Sequence, residues 1–293
     1  MRVLSLFDGI SCGMVALERV GIHVEKYVAY EIDKDAIKVS KRNYPMIEQK
    51  GDVFKARYKE GEFDILIGGS PCTHWSIAKA GNKEARETTS SGIGWELFSQ
   101  YVRALKEAKP KYFLYENNES MSDDIKHEIT KQLGVKPIMI DSADFSAQIR
   151  KRYYWTNIPV TEWEKKDLYI KDIVFDDTYK TCNFDKYKET KIISKDGLTV
   201  KWDSSGKGYY SQQNRARSKE LKMNTVTARG IDKCNVWLGD NIFRRMHPVE
   251  AERLQTLPDN YTDILSDGKR IKCIGNGWTV DVIAHIFKGL LDS

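Results

Sequence analysis

Cysteine is scarce in this sequence. Five residues, Cys12, Cys72, Cys182, Cys234 and Cys273, are scattered over 293 positions, odd in number and with no Cys-x-x-Cys pair. That pattern argues against a disulfide framework and against a zinc site, so no metal is called for, and it suits a reducing compartment. Long apolar runs are also missing. No stretch approaches the roughly 20 residues that a membrane-spanning helix needs, and Asp8 comes too early after Met1 for a secretory leader. The chain is therefore expected to be soluble and intracellular, with no membrane partner. There is no internal repeat or low-complexity tract, and the glycines do not match Gly-x-Gly-x-x-Gly, which weakens the case for a dinucleotide site.

Neither sign of charge dominates. Lys and Arg number 47 against 42 Asp and Glu, a net charge of +5, which permits polyanion binding without demonstrating it. What the sequence does have is alternation. Arg2 to Leu6 reads as a strand, and Phe7-Asp8-Gly9-Ile10-Ser11-Cys12-Gly13 as a glycine-punctuated turn into a helix through Met14, Leu17 and Val20. A second strand, Tyr27 to Tyr30, stops at Glu31-Ile32, and a polar helix follows to about Asn43. After the turn at Gly51-Asp52-Val53 comes the apolar run Ile65-Leu66-Ile67, then a helix from Trp95 and a strand, Tyr112 to Tyr115, that ends in Glu116-Asn117-Asn118. A helix near 122–133, a strand near 137–140, a helix at Pro248–Leu254 and a last helix from Val280 to Leu291 complete the pattern. Strand and helix alternating in this way predict an α/β fold with a doubly wound, mostly parallel sheet. Residues 1–160 form the first part of the main domain, 161–242 a smaller irregular β-rich region without helical periodicity, and 243–293 a return to the main domain.

The most informative stretch is Ile65 to Ser76. Gly68-Gly69 ends a buried strand, Ser70-Pro71 stiffens the turn, and Cys72 follows at the strand's carboxyl end, where open α/β sheets place their ligands. A structural cysteine would sit inside the apolar run, so Cys72 is read as a reactive nucleophile. Residues 77–94, small, polar and aperiodic, predict a long loop beside it. Two carboxylates also end strands. Glu31 is either an acid for a ribose hydroxyl pair or an ordinary surface residue, and Glu116 is placed like Cys72. In 161–242, Gly, Gln, Asn, Arg and aromatic residues mix over short β-like pieces. That composition fits a surface touching bases and phosphates, or an irregular insertion with solvated charges.

Taken in order, these residues resemble the DNA cytosine-5 methyltransferases. Phe7 to Gly13 resembles the motif that cradles S-adenosylmethionine, Glu31 the ribose-binding acid, and Asp52 the residue that meets the adenine. Gly69-Ser70-Pro71-Cys72 with Ser76 resembles the Pro-Cys nucleophile motif. Glu116-Asn117 resembles the Glu-Asn-Val motif, with Asn118 in place of Val, and Gln148-x-Arg150-x-Arg152 resembles the Gln-x-Arg-x-Arg motif. Arg245 to Pro258 and Gly275-Asn276-Gly277 resemble the last two motifs. Val135 to Asp141, Ala147 to Pro159 and Trp278 look similar to the eukaryotic de novo enzymes of the family.

The resemblance implies a methyltransferase fold using S-adenosylmethionine as cofactor, held by Phe7, Asp8, Gly9, Ile10, Gly13, Glu31, Ile32, Asp52, Val53, Ser70, Pro71, Asn276 and Trp278. Trp278 has core packing as an equal alternative. It further implies DNA, double-stranded, as the partner, with 161–242 as target recognition region. The catalytic set is Cys72 attacking cytosine C6, Glu116 at N3, and Arg150 and Arg152 holding Glu116 and the ring O2, or else clamping phosphates. Two alternatives stand beside it: methylation of transfer RNA by the branch that shares the fold, weakened by the lack of a Cys-Phe-Thr signature in 161–242, and a catalytically silent DNA-binding paralogue, weakened by the presence of both Cys72 and Glu116.

Overall fold

The computed structural model describes residues 1–71, 75, 87–184, 191–203, 214–228 and 234–291. The chain divides into two compact units. The first comprises Met1–Asp141, Lys151–Glu162 and Val282–Ser293; the second comprises Ser142–Arg150 and Trp163–Asp281. Sequence reasoning returned all of 243–293 to the main domain. In the structure only the segment from Val282 onward belongs with the first unit, and 243–281 belongs with the second.

The first unit is built on strands β1 (Arg2–Leu6), β2 (Lys26–Tyr30), β3 (Glu48–Gln49), β4 (Ile65–Gly68), β5 (Tyr112–Asn118), β6 (Ile138–Asp141) and β7 (Lys151–Thr156), in the order β3-β2-β1-β4-β5-β7-β6. The first five are parallel, and β7 inserts antiparallel between β5 and β6. The helices α1 (Cys12–Arg19), α2 (Lys34–Asn43), α3 (Ile93–Ala108) and α4 (Asp123–Leu133) connect the strands. Local chemistry sets their ends. Asp33 accepts from the Asp35 amide at the start of α2 (2.9 Å), Ser122 caps α4, and Gly134, at φ 71°, closes α4 in a left-handed conformation that other residues resist. Ile65, Leu66 and Ile67 have no exposed surface, as a strand covered on both faces requires. Tyr115 joins them in the core, with ring centroids 5.1 Å from Phe98 and 4.8 Å from Tyr101.

The second unit carries strands β8 (Thr181–Asn183), β9 (Lys191–Ile193), β10 (Thr199–Trp202), β11 (Arg215–Ser218), β12 (Asn235–Gly239) and β13 (Ile242–Arg245), in the order β8-β13-β12-β11-β10-β9. Phe184, Trp202 and Phe243 stack on one another within 5.0 Å between centroids, over Val200 and Ala216. A separate cluster gathers Val236 and Met246 with residues of α5 (Pro248–Leu254) and α6 (Asp267–Asn276). Two buried arginines here meet carboxylates: Arg244 holds Glu250 through two nitrogens (2.8 and 2.9 Å), and Arg270 meets Glu252 at 2.9 Å. The last helix is α7 (Val280–Lys288). Among the described residues, no helix is long and apolar enough to cross a membrane.

Candidate active site

The order of the first sheet reverses direction between β1 and β4, so the loops leaving their carboxyl ends diverge to opposite sides and open a crevice there. Gly68 stands at that point. A Cβ on it would lie 2.6 Å from the Leu6 carbonyl and 3.3 Å from the Tyr101 ring, so the two strand ends meet this closely only with glycine. Three of the loops anticipated from sequence leave this same edge, 7–11 after β1, 31–33 after β2 and 69–71 after β4, and Glu116 to Asn118 end β5 there.

On the β1–β2 side, carboxylates hold the loops in shape. Asp8 accepts hydrogen bonds from the hydroxyls of Ser5 (2.6 Å), Ser11 (2.5 Å) and Tyr27 (2.7 Å). Enclosed in this way, its carboxyl is pushed up to about 6, chiefly by burial; the three hydroxyls oppose the shift and the nearby charge of Glu31 adds to it. Phe7 and Ser11 both take left-handed backbone conformations, φ 58° and 62°, around Gly9 at φ 60°. Glu31 accepts from the amides of Gly9 (2.8 Å), Ile32 (2.7 Å) and Asp33 (2.8 Å), which ties the loop after β1 to the loop after β2. Asp52 caps the short turn Val53–Lys55 by accepting from the Phe54 amide (3.0 Å).

Apolar side chains stand exposed beside these acceptors: Ile32 at 73% and Phe54 at 46%. Flat apolar surface next to carboxylates is what a nucleoside needs, with acceptors for ribose hydroxyls and an exocyclic amine. The residues therefore fit S-adenosylmethionine. Ile10, Gly13 and Val53, also expected at this site, are buried.

On the β4–β5 side, the alternation of β5 sorts its residues. Tyr115 and Asn117 point to one face, Glu116 and Asn118 to the other. Ser70 Oγ lies 2.6 Å from the Tyr115 hydroxyl, and Asn117 Nδ2 donates to the Ser70 carbonyl and to the Tyr115 hydroxyl, both at 3.1 Å. The segment carrying Ser70 and the exposed Pro71 is thus anchored to β5 at Ser70, two residues before Cys72. Cys72 itself, Ser76 and most of the 77–94 loop lie outside the described residues.

Across β5 and β7, Asn118 stands opposite Arg152 and Glu116 opposite Tyr154. Glu116 and Arg152 are therefore diagonal neighbours on one face, and Arg152 Nε lies 2.9 Å from Glu116 Oε1. Asn118, where the family pattern has Val, is buried and satisfied: its side chain donates to Asn117 Oδ1 (3.1 Å) and accepts from Ser120 (3.0 Å).

Arg150 makes a second set of contacts. It belongs to the second unit and donates to the carbonyls of Val226 (3.0 Å), Gly275 (3.3 Å) and Gly277 (3.0 Å). A buried guanidinium that donates to three backbone oxygens ties separate segments of the second unit together. Asn276, exposed at the end of α6, and the half-buried Trp278 also lie in the second unit, apart from the remaining cofactor residues in sequence and in unit.

Sequence reasoning missed several contributors. Asn117 and Tyr115 position Ser70, and strand alternation after Tyr112 could have placed them opposite Glu116. Phe54 could have been found as an aromatic next to Asp52. Arg103 carried no local signal: it reaches from α3 to the carbonyls of Val53 (3.0 Å) and Ala56 (2.8 Å), bracing the turn that Asp52 caps.

Comparison with known proteins agrees with this geometry. The sequence model of the C-5 cytosine-specific DNA methylase family matches residues 1–292. The chain is 28% identical to the type II methyltransferase M.FnuDI of Fusobacterium nucleatum, over 100% of this chain and 95% of that protein. It is 25% identical to the type II methyltransferase M.NgoPII of Neisseria gonorrhoeae, over 98% and 94%. The orphan methyltransferase M.SPRI of Bacillus phage SPR is 42% identical, over 40% of this chain and 26% of that longer one. Among solved structures, the Entamoeba histolytica methyltransferase EhMeth superposes with a TM-score of 0.70 at 17% identity, covering 100% of this chain and 98% of that one. S. pombe Dnmt2 does so at 0.66 and 14%, with coverage of 100% and 98%. At such identities the structures share the fold: a mixed α/β methyltransferase sheet with a β-rich region.

Proposed function

The chain belongs to the C-5 cytosine-specific DNA methylase family and by that membership is a DNA cytosine methyltransferase; we propose that it works through a covalent Cys72 adduct on a cytosine drawn out of duplex DNA. The observation that carries this reading is the pairing of Arg152 with Glu116 at the carboxyl end of β5, on a strand that also anchors Ser70, two residues before Cys72.

Cytosine C5 is a weak nucleophile. Addition of the Cys72 thiolate to C6 breaks the C5–C6 double bond and pushes its electrons onto C5 and toward N3 and O2. Glu116 supports N3, where it shares a proton, and accepts from the exocyclic amine, so that thymine is refused. Arg152 orients Glu116 and lies within reach of O2. S-adenosylmethionine would be held by Phe7, Gly9, Glu31, Ile32, Asp52 and Phe54 and would supply an electrophilic methyl group from its sulfonium, whose sulfur is left as a neutral thioether. Once C5 carries the methyl, its proton leaves to water, the double bond re-forms and Cys72 departs as thiolate.

The base is inaccessible inside a stacked duplex. Drawing it out costs a few kcal/mol, which contacts from the recognition region offset. Two observations support DNA as substrate: the type II names of the bacterial relatives and the mixed basic and aromatic composition of the second unit.

The test is methyl transfer from labelled S-adenosylmethionine to duplex DNA and, in parallel, to transfer RNA. Label in DNA is expected. Label in RNA alone would replace the substrate, and label in neither would favour a silent paralogue. A duplex with 5-fluorocytosine at the target should form a denaturant-resistant adduct that needs the methyl donor, because fluorine cannot leave as the proton does. Active enzyme that fails to trap would sink the covalent route.

A further inference from the structure

The segment that carries Cys72 joins β4 to α3, and both of its flanks lead to one place, the stretch 118–122 where β5 gives way to α4. On the near flank, Asn118 works through Asn117. Its side-chain carbonyl accepts from the Ser120 hydroxyl (3.0 Å), and its Nδ2 donates to Asn117 Oδ1 (3.1 Å) beside the Asn118 backbone amide (2.9 Å). Two donors on Asn117 Oδ1 fix which way that amide faces. Nδ2 meets the Ser70 carbonyl, and a flipped amide would set oxygen against oxygen there. The valine of the family pattern has no donor to give at 118.

On the far flank, the Ser122 hydroxyl donates to the Thr88 carbonyl (2.8 Å) and accepts from the Ile125 amide (3.4 Å) as the cap of α4. Glu87, next to Thr88, accepts from the Gly94 amide in the first turn of α3 (3.0 and 3.3 Å). Gly92, at φ 85°, makes room for it: a Cβ there would stand 2.7 Å from the Glu87 carboxylate. Between the flanks, Trp75 has no exposed surface and lies in the core cluster with Phe98, Tyr101 and Tyr115. Cys72 therefore follows one fixed point by two residues and precedes another by three.

We infer that Asn118 and Ser122 are positioning residues for the Cys72 thiol, the first acting through Asn117 and Ser70, the second through Thr88. The inference rests on the reading of Cys72 as nucleophile and deepens it. Because one short stretch of backbone fixes both flanks, their separation does not depend on the length of chain between them. A nucleophile misplaced by about 1 Å can lose about 10²-fold in rate. Residues that only restrict its position should therefore show in turnover and not in binding.

The test uses the full chain and the variants Asn118→Val, Ser122→Asp and Ser122→Thr. Asp still caps a helix but turns a carboxylate toward the Thr88 carbonyl where Ser gave a donor, whereas Thr keeps both functions. Methyl transfer to duplex DNA and the rate of adduct formation on a 5-fluorocytosine duplex are measured beside urea unfolding. Asn118→Val and Ser122→Asp should each lower kcat and the adduct rate about tenfold, inside the roughly 10²-fold cost of a displacement of about 1 Å. KM for duplex and for methyl donor should stay within about twofold of wild type, and the unfolding midpoint should not move. Ser122→Thr should recover most of the turnover that Ser122→Asp loses. Wild-type kcat in both Asn118→Val and Ser122→Asp, a raised KM with kcat intact, or a turnover loss matched by a lowered midpoint would overturn the positioning role. The wild type and Cys72→Ala are run alongside. If the wild type transfers methyl and Cys72→Ala does not, such results overturn this inference alone; transfer by Cys72→Ala, or none by the wild type, overturns the reading of the preceding section.

Discussion

Arg152 Nε lies 2.9 Å from Glu116 Oε1, with side-chain exposures of only 14% and 11%. At that depth an ion pair is costly to break from one side, because the remaining charge is left uncompensated. Arg152→Ala is expected to lower stability by about 3 kcal/mol or more and to suppress methyl transfer. Glu116→Gln, close in shape, should keep the fold and lower transfer about 10²- to 10⁴-fold. Denaturant titration beside label incorporation separates the two effects; a Gln variant with near wild-type turnover would remove Glu116 from the chemistry.

Cys72→Ala should abolish methyl transfer and leave DNA affinity within several fold, since the thiol makes the adduct and contributes little to binding. Filter binding and label incorporation on one preparation check both halves. Transfer by the Ala variant would show that the nucleophile lies elsewhere.

Asn117 commits both ends of its amide: Nδ2 to the Ser70 carbonyl and the Tyr115 hydroxyl, Oδ1 to the backbone and side chain of Asn118. Asn117→Ala should cost about 1–3 kcal/mol through the buried groups it orphans, and lower turnover by loosening the segment before Cys72. Tyr115→Phe keeps the ring packing and loses the bond to Ser70 Oγ, so a loss nearer 1 kcal/mol is expected. Equal effects in the two variants would contradict this ranking.

Asp8 gives the fold a pH dependence. Its carboxyl titrates near 3.8 when unfolded and at about 6 when folded. The folded chain therefore holds this proton more tightly. The stability that follows is fully present below about 3.8 and is lost as pH rises through about 6. Against Asp8→Asn, which does not titrate, the wild type should lose up to about 3 kcal/mol of relative stability between about pH 4 and pH 7. Urea unfolding of both proteins across that range measures it, and a difference independent of pH would show that the carboxylate is not buried in this way.

Arg150→Met should leave three carbonyls without their donor and destabilise the protein by several kcal/mol, at about 1–3 kcal/mol for each orphaned group. Turnover per folded molecule should fall by less than about tenfold, unlike the effect at Arg152. Calorimetry with active-site titration tells these apart, and a stable but inactive Arg150→Met would assign Arg150 to the chemistry.

Much of the first sheet was legible because its signals are local. Arg2 to Leu6, Ile65 to Ile67 and Tyr112 to Tyr115 are mostly apolar runs bounded by turn or polar residues, and their length and composition suit buried strands. Tyr153 to Trp155 carried no such boundary. Its place as an antiparallel insertion between β5 and β6 depends on which edge was open, and that is not written in the run itself. The Gly275-Asn276-Gly277 motif reads locally as a turn, yet Gly275 lies inside α6, where a Cβ would meet the backbone of Thr227 and Ala228 at 2.4–2.5 Å.

The sequence by itself determined the alternation of strand and helix, the placement of chemically capable residues after strand ends, and the family those residues resemble. All of these follow from side-chain period, turn chemistry and motif order along one segment at a time. Only the tertiary structure decided which side chains meet. Glu116 takes Arg152 as its partner because strand register sets them diagonal to each other, and Arg150, two residues before Arg152, belongs to the second unit and donates to three carbonyls there. Strand period fixes the face on which a residue stands, while its neighbour on that face is supplied by a distant part of the chain.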